Sequence, residues 1–423
     1  MKIQVRDSDV PAGWSAAKLK YHAELNPKCE TQVSKDAEVT FTPMENVKNG
    51  YFIPRTEKYG RFVGNSQYSE YEEGDIAFAK VTPCFENNNI AIMQSLVNGK
   101  GFGSSELFVM RPLSIELKYL FYLLQSPHFK TNGVVSMTGT GGLKRVSSDA
   151  VRNYKFALPS AKIQNLIASY LDAKCAEIDK VVEQTRATIE EYKKLKQAII
   201  TEAVTKGVRG PRPMKPSGVE WIGDIPEEWD VRKVNQFWKA SKGPNAALLT
   251  SEYCGEHFGQ YPVYSGQTEN NGVMGMIDSY VFDFGEDGCL FSTTVGAKAM
   301  SVSCLYGKFS LSQNCMIMQP TAKTCIVRYY LYLFTYVFAY YRSLIPDYMQ
   351  PSFRVKDFYS YTMLIPSVNE QQEIAAYLDT KCTEIDRIIE KKEQLIDELG
   401  SYKKSLIYEY VTGKKEIEIH KYS

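Results

Sequence analysis

Paired cysteines, clustered histidines, net charge and long apolar runs are all scarce in this sequence, and each shortage excludes a class of function. Nine cysteines are scattered along 423 residues, and none forms a C-x-x-C pair. The four histidines (His22, His128, His257, His420) are equally dispersed, so no zinc-ligand spacing can be assembled locally. Buried, reduced thiols are expected rather than a disulfide framework or a metal site. No apolar run approaches the roughly 18 residues needed to span a bilayer. The first residues, Met1-Lys2-Ile3-Gln4-Val5-Arg6-Asp7, contain no signal-peptide h-region, so a cytoplasmic location is expected.

The motifs of catalysis are missing as well. Gly99-Lys100, Gly307-Lys308 and Gly413-Lys414 are followed by Gly, Phe and Lys, so none completes a phosphate-binding G-x-x-x-x-G-K-[ST]. Gly139-Thr140-Gly141-Gly142 lacks the spacing and the strand–helix setting of a dinucleotide loop. There is no G-x-S-x-G, no H-E-x-x-H and no [DN]-P-P-[YF] of the kind that amino-methyltransferases use. Adjacent acids such as Glu72/Glu73 and Glu286/Asp287 read as solvated surface. The chain is therefore read as non-enzymatic, with no cofactor or metal of its own.

What is present is ordinary globular composition, 44% hydrophobic and 23% charged, in a chain too long for one compact domain. The net charge is only +1. Residues 1–157 hold 19 basic against 16 acidic side chains, net +3, and residues 365–423 hold 9 against 12, net −3. A protein that grips nucleic acid alone carries more positive charge than this, because phosphate neutralisation supplies much of the affinity.

An internal repeat organises the rest. Residues 158–205 align with 365–412 at a constant offset of 207, with 21 identities in 48 positions and no gap. The densest part, Tyr170-Leu171-Asp172-Ala173-Lys174-Cys175-Ala176-Glu177-Ile178-Asp179, returns as Tyr377-Leu378-Asp379-Thr380-Lys381-Cys382-Thr383-Glu384-Ile385-Asp386. A weaker echo relates Val10-Pro11-Ala12-Gly13-Trp14 to Ile225-Pro226-Glu227-Glu228-Trp229. Apolar residues recur at spacings of three, four and seven, which predicts one long amphipathic helix per copy, opened by Pro159-Ser160 and Pro366-Ser367. Unbroken, about 45 residues give a rod nearly 70 Å long, and its apolar stripe demands a partner, the other copy being the obvious one. Tyr170, Leu171, Ile178 and Val182, with Tyr377, Leu378, Ile385 and Ile389, are the candidate spacer and partner-binding positions. Gly400-Ser401 is expected to kink or fray the second copy. The segment 206–218, with three prolines and three glycines, cannot continue a helix and reads as a linker.

The resulting division is a first variable unit (1–157), a helical repeat (158–206), a linker (207–224), a second variable unit (225–364), and a second repeat with its tail (365–423). Short β-like runs at 76–79, 90–93, 107–110, 288–291, 300–303 and 315–318, with aromatic helical stretches at 119–124 and 329–334, make each variable unit α+β. The aromatic stretches are expected to be core helices rather than stacking platforms for bases. Loops rich in small, amide and cationic side chains lie at comparable places in both units. Asn and Gln can pair with an adenine edge, and Arg or Lys with guanine. The candidate DNA-contacting residues are Lys80, Thr82, Asn87, Thr140, Gly142, Lys144 and Arg145 in the first unit. In the second they are Tyr264, Ser265, Gln267, Asn270, Thr294, Lys298, Gln350, Ser352 and Arg354.

Several features together resemble one family. They are the order variable–repeat–variable–repeat, the doubled Y-L-D-x-K-C-x-E-I-D, the Ile200-Thr201-Glu202-Ala203-Val204-Thr205-Lys206-Gly207 end, and Ser217-Gly218-Val219-Glu220-Trp221-Ile222-Gly223-Asp224-Ile225-Pro226. The chain resembles the specificity (S) subunit of type I restriction-modification systems. That resemblance implies two target recognition domains, each reading half of a split double-stranded DNA sequence, and two antiparallel helices forming a coiled-coil spacer with pseudo-twofold symmetry. It implies two modification subunits that carry S-adenosylmethionine and methylate adenine, and restriction subunits that cleave with ATP and Mg. The second copy departs from the first at Tyr408-Glu409-Tyr410, where the first has Thr201-Glu202-Ala203. Near-neutral charge fits a chain whose partners close around DNA and contribute cations. The competing reading is a coiled-coil scaffold whose variable domains bind protein or carbohydrate.

If the helices act as a ruler, deleting two turns within residues 165–200 shortens the spacing between the two methylated half-sites. Mapping methylated adenines checks this, and an unchanged spacing refutes the ruler.

Overall fold

The computed structural model describes residues 10–65, 67–139, 143–267, 270–296, 298–346 and 348–417. The α+β expectation holds. The chain forms two compact units, Met1–Thr185 with Glu393–Ser423, and Arg186–Lys392. Compactness therefore divides the chain in the middle of each long helix, Ala161–Lys206 and Val368–Val411, rather than at the ends of the repeats.

In the first unit, one four-stranded sheet runs in the order Ala23–Leu25, Leu107–Pro112, Ile76–Ala79, Ile90–Ile92. Ile76–Ala79 is buried at every position and lies inside the sheet, which explains why its sequence is uniformly apolar rather than alternating. A second sheet, ordered Arg55–Lys58, Glu38–Thr42, Lys100–Ser104, Tyr68–Glu72, contains one parallel pair, Glu38–Thr42 with Lys100–Ser104. Ser15–Lys18 pairs with Lys155–Leu158 and brings the two ends of the domain together. The helix Leu117–Gln125 buries Tyr119, Leu120, Tyr122, Leu123 and Leu124, so the aromatic stretch is core, as expected.

The second unit repeats this plan. Trp238–Ser241, Cys315–Pro320, Cys289–Thr293 and Val302–Leu305 form one sheet, and Val273–Ile277, Phe258–Tyr264, Lys308–Leu311 and Phe282–Asp283 the other. The parallel pair recurs as Phe258–Tyr264 with Lys308–Leu311, and the closing pair as Asp230–Lys233 with Thr362–Ile365. The strand expected from Met300 begins at Val302 instead, because Met300 sits at φ 68° in the preceding turn. The helix Val327–Ser343 buries Tyr329, Tyr330, Leu333 and Phe334.

Many identities of the repeat are residues that hold each variable unit to its helix. Gln164 accepts the Glu116 backbone N–H at 2.8 Å and donates to the Pro159 carbonyl at 2.9 Å. Gln371 likewise accepts from Ile326 N–H and donates to the Pro366 and Thr324 carbonyls. Tyr122 donates to Asp172 at 2.7 Å, and Tyr332 to Asp379 at the same distance. Leu171, Cys175 and Ile178 are buried in the first unit, as Leu378, Cys382 and Ile385 are in the second. Burial pushes the Cys175 thiol up to about 11 and raises Cys382 too, which keeps both as unreactive thiols. All nine cysteines are unpaired, and the described residues hold no cluster able to bind a metal.

Each unit also contains an antiparallel stretch of the two long helices. Lys403 bonds to Asp179 in the first unit, at 2.7 and 2.6 Å. Its repeat counterpart, Lys196, bonds to Asp386 in the second at 2.6 and 2.7 Å. Of the spacer positions read from the sequence, Leu171, Ile178, Leu378 and Ile385 are interior, Tyr170, Val182 and Ile389 are half-buried, and Tyr377 is exposed.

One local expectation is corrected and one is filled in. The helix passes through Gly400-Ser401 without interruption. A glycine there costs about 1 kcal/mol against alanine, which is outweighed by Leu406, Ile407, Tyr410 and Val411, all buried in the first unit's core. The 206–218 segment is not a free linker either. Met214–Pro216 pairs with Asp224–Pro226, and Arg212 bridges Glu370 and Glu228 at 2.5 and 2.8 Å. Glu370 is 1% exposed and also accepts from Trp229 Nε1 at 3.0 Å. Prolines keep the segment from continuing the helix, and a buried carboxylate then fixes its path.

Ending the chain after Lys392 should therefore unfold the first unit while the second keeps its protection. Leu406→Ala alone should cost about 2–5 kcal/mol there. Hydrogen exchange resolved by segment checks both, and equal loss of protection in the two units contradicts the division.

Candidate nucleic-acid interface

Two loops from distant parts of the sequence meet in the first unit. After the strand Ile76–Ala79 the chain turns through 80–89. Val81 bridges Arg145, and Arg145 bridges Thr138, which closes a hairpin. Thr82 N–H donates to the Lys144 carbonyl at 3.0 Å, and the Thr82 hydroxyl accepts from Lys144 N–H at 3.1 Å. Lys80, Thr82, Lys144 and Arg145 are thus one cluster, with Asn87 exposed on the adjoining turn. Thr140 and Gly142 lie outside the described residues.

The electrostatics of this cluster are uneven. The Arg145 guanidinium is bidentate on Glu106, Nε to Oε2 at 2.9 Å and Nη2 to Oε1 at 2.7 Å. Those hydrogen bonds, helped by nearby Lys80, hold the Glu106 carboxyl below its ordinary range. Arg145 is consequently half of a neutral pair, not a free cation. Lys144 is exposed and forms no ion pair among the described residues. Lys80 is half-buried, its ammonium 5.6 Å from the Phe108 ring.

The second unit has the same construction. Val295 bridges Ser352. Gly296 N–H donates to the Pro351 carbonyl at 3.2 Å, and Phe353 N–H to the Thr294 carbonyl at 2.7 Å. Matching these bonds to Thr82→Lys144, Val146→Lys80 and Lys80→Glu106 pairs Lys80 with Thr294, Thr82 with Gly296, Lys144 with Pro351 and Arg145 with Ser352. Glu106 pairs with Asn314, whose carbonyl accepts from Thr294 N–H at 2.8 Å. Within the loops read as equivalents from sequence, 138–145 and 348–356, Lys144-Arg145 and Pro351-Ser352 occupy matched places.

Individual candidates fare differently here. Lys298, Gln350, Ser352 and Arg354 are exposed on these loops. Thr294 is 3% exposed and its hydroxyl has no partner among the described residues, so it supports the loop from inside. Tyr264 is half-buried, packed on Phe291 and Phe309 with ring centroids 6.1 and 5.7 Å away. Ser265 is buried. Gln267 and Asn270 both donate to the Val273 carbonyl, at 2.6 and 3.3 Å, which commits one end of each amide to the turn. That turn joins the site because Gly266 backs onto Thr293, where an added Cβ would lie 3.5 Å from the Thr293 methyl.

Sequence reasoning missed two contributors to the first site. Glu106 carried no motif, and only the fold brings it to Arg145. The 46–53 turn lies beside the 80–89 loop, Asn49 bridging Ile90, with Tyr51 and Ile53 well exposed. Its Asn49-Gly50 dipeptide was a turn signal that could have flagged it.

The model of the type I restriction modification DNA specificity domain matches residues 26–191 and again 226–399. The type I restriction enzyme EcoEI specificity subunit of Escherichia coli is 32% identical over 197 residues, 45% of this chain and 33% of that protein. The EcoAI specificity subunit of Escherichia coli is 31% identical over 195 residues, again 33% of its length, so the match spans about a third of these relatives. The putative type I restriction enzyme MjaX specificity subunit of Methanocaldococcus jannaschii is 22% identical over 422 residues, 97% of this chain and 95% of that one. A chain solved in work on complex assembly and conformational transition of the type I R-M system superposes with a TM-score of 0.74 at 16% identity, covering 96% of this chain and 99% of that one. The HsdS subunit from Thermoanaerobacter tengcongensis superposes at 0.53, also 16% identical, covering 96% and 98%. With the family model matching twice, once in each unit, the chain belongs to the type I restriction modification DNA specificity domain family.

Proposed function

We propose that this chain is the DNA-recognition subunit of a type I restriction-modification complex, each variable unit reading one half of a split target. One observation carries this reading. The two units build the same paired-loop platform with the same backbone hydrogen bonds, yet present different residues at matched positions: Lys144 against Pro351, Arg145 against Ser352, Glu106 against Asn314. A common scaffold with divergent contact residues is what reading two different sequences requires, since specificity rests on base-edge donors and acceptors.

The repeated helices supply the partner surface in this reading. Most identities are used internally, but Lys174 and Glu177 form one stripe at helical spacing on the first helix, and Lys381 and Glu384 the same stripe on the second. Lys174 and Glu177 pair at 2.8 Å, and Lys381 and Glu384 at 3.1 Å. The same stripe twice in one chain fits two copies of one partner. Methylation of adenine, with S-adenosylmethionine, is assigned to those partners. Cleavage, with ATP and Mg, is assigned to the restriction subunits, and this chain performs no chemistry.

Exchanging residues 1–157 for those of another family member should change one half of the methylated sequence and leave the other intact; a change in both halves refutes modular reading. Lys144→Ala and Arg354→Ala in the methyltransferase complex should each weaken binding across all sequences. Each should also flatten the dependence of log K on log salt by about 0.9 if the side chain meets one phosphate. Titrations at two salt concentrations decide that. Adenine methylation by the purified chain with S-adenosylmethionine alone would overturn the non-catalytic assignment.

A further inference from the structure

Two cationic side chains rise from the helices beneath the reading loops and are no part of the exposed platform itself. Lys130, on the helix Pro127–Val135, donates to the Phe85 carbonyl at 2.9 Å, with its ammonium 4.1 Å from the Phe85 ring centroid. Among the described residues no carboxylate pairs with it. A partly buried ammonium without a counter-ion is costly, so a carbonyl and an aromatic face must hold it. Phe85 is itself locked: it is fully buried, and its ring lies so close over Gly133 that a Cβ there would come within 2.4 Å of Phe85 Cζ. The same carbonyl accepts from Asn88 N–H at 3.2 Å, and Phe85 N–H donates to Val81 at 2.9 Å. The turn carrying Thr82 and Asn87 is thus anchored at Phe85, by packing and by Lys130.

The second unit uses a different residue for a similar purpose. Arg342, on the helix Val327–Ser343, donates through Nη1 to the Ala299 carbonyl. Ala299 is fully buried, and its N–H closes the turn onto the Gly296 carbonyl at 2.9 Å. That turn carries exposed Lys298 and continues from Val295, which bridges Ser352. In both units, then, a basic side chain on a helix donates to a backbone carbonyl on the inner side of the reading loop.

We propose that Lys130 and Arg342 are positioning residues for DNA specificity, each setting the geometry of the reading loop in its own unit without touching DNA. This role rests on the loops being the reading elements. Base-edge recognition depends on hydrogen-bond geometry, so a loop released from its anchor loses discrimination before it loses phosphate affinity.

The test uses the full chain with its methyltransferase partner and a pool of duplexes randomised at both half-sites, followed by sequencing of the bound fraction. Lys130→Met should reduce selectivity at one half-site about tenfold and leave the other as in the parent, and Arg342→Met should do the reverse. Lys130→Arg, which keeps a donor and a charge, should restore selectivity. Unaltered selectivity in folded Lys130→Met and Arg342→Met proteins overturns the proposal, as does equal relaxation of both half-sites by either variant. If Lys130→Met lowers the melting temperature enough to unfold its unit, the result for Arg342→Met decides. Should the parent complex itself select no sequence, it is the DNA-recognition reading that fails, and this is evident before any variant is compared.

Discussion

A buried glutamine near the start of each long helix holds an α+β domain in place, and the remaining architecture depends on that grip. Gln164 and Gln371 each satisfy the backbone N–H at the entry to an aromatic core helix and a carbonyl at the entry to their own helix. With both ends of the amide engaged in the interior, replacement by an apolar residue would strand backbone groups, each costing about 1–3 kcal/mol. About two turns further along the helix, Asp172 and Asp379 take the hydroxyls of Tyr122 and Tyr332. Burial, reinforced by the carboxylate, raises those tyrosines well above their ordinary range, so each stays a hydrogen-bond donor.

This docking explains why the repeat is conserved within the chain and the loops are not. Leu171, Cys175 and Ile178 occupy a core shared with Leu120 and Leu123, and Leu378 and Cys382 one shared with Tyr329 and Leu333. A substitution at those positions disturbs packing in its unit, whereas one at Lys144 or Ser352 meets solvent. The loops can therefore vary without disturbing the fold that carries them. The chain's own end belongs to this logic: Tyr119 donates to the Val411 carbonyl at 3.0 Å, and Tyr410 packs against Tyr170 with ring centroids 4.6 Å apart. The Tyr408-Glu409-Tyr410 departure from the first copy thus places an aromatic side chain in the core.

Much of the fold was legible because periodicity and repetition survive without coordinates. The strands at 76–79, 107–110 and 315–318 and both aromatic helices followed from apolar runs, and the offset of 207 exposed the long helices. Local propensity misled at Gly400, where tertiary burial outweighed the glycine; at the 206–218 segment it correctly ended the helix but could not show that Arg212 finds Glu370 across 158 positions of sequence. The candidate interface loops were partly legible. Small and cationic residues marked 138–145 and 348–356, but composition could not distinguish exposed Lys144 from Arg145, which Glu106 occupies, nor exposed Ser352 from buried Thr294.

The sequence by itself determined the duplication, the α+β character of the variable units, the two long helices and the candidate reading loops, because each is written in local pattern or self-similarity. Tertiary structure alone decided that each compact unit takes half of each long helix, that Glu106 neutralises Arg145, and that Lys130 and Arg342 brace the loops. Those are contacts between residues tens to hundreds of positions apart. Their geometry is set by how sheets and helices pack around a common core, and no window of sequence contains it.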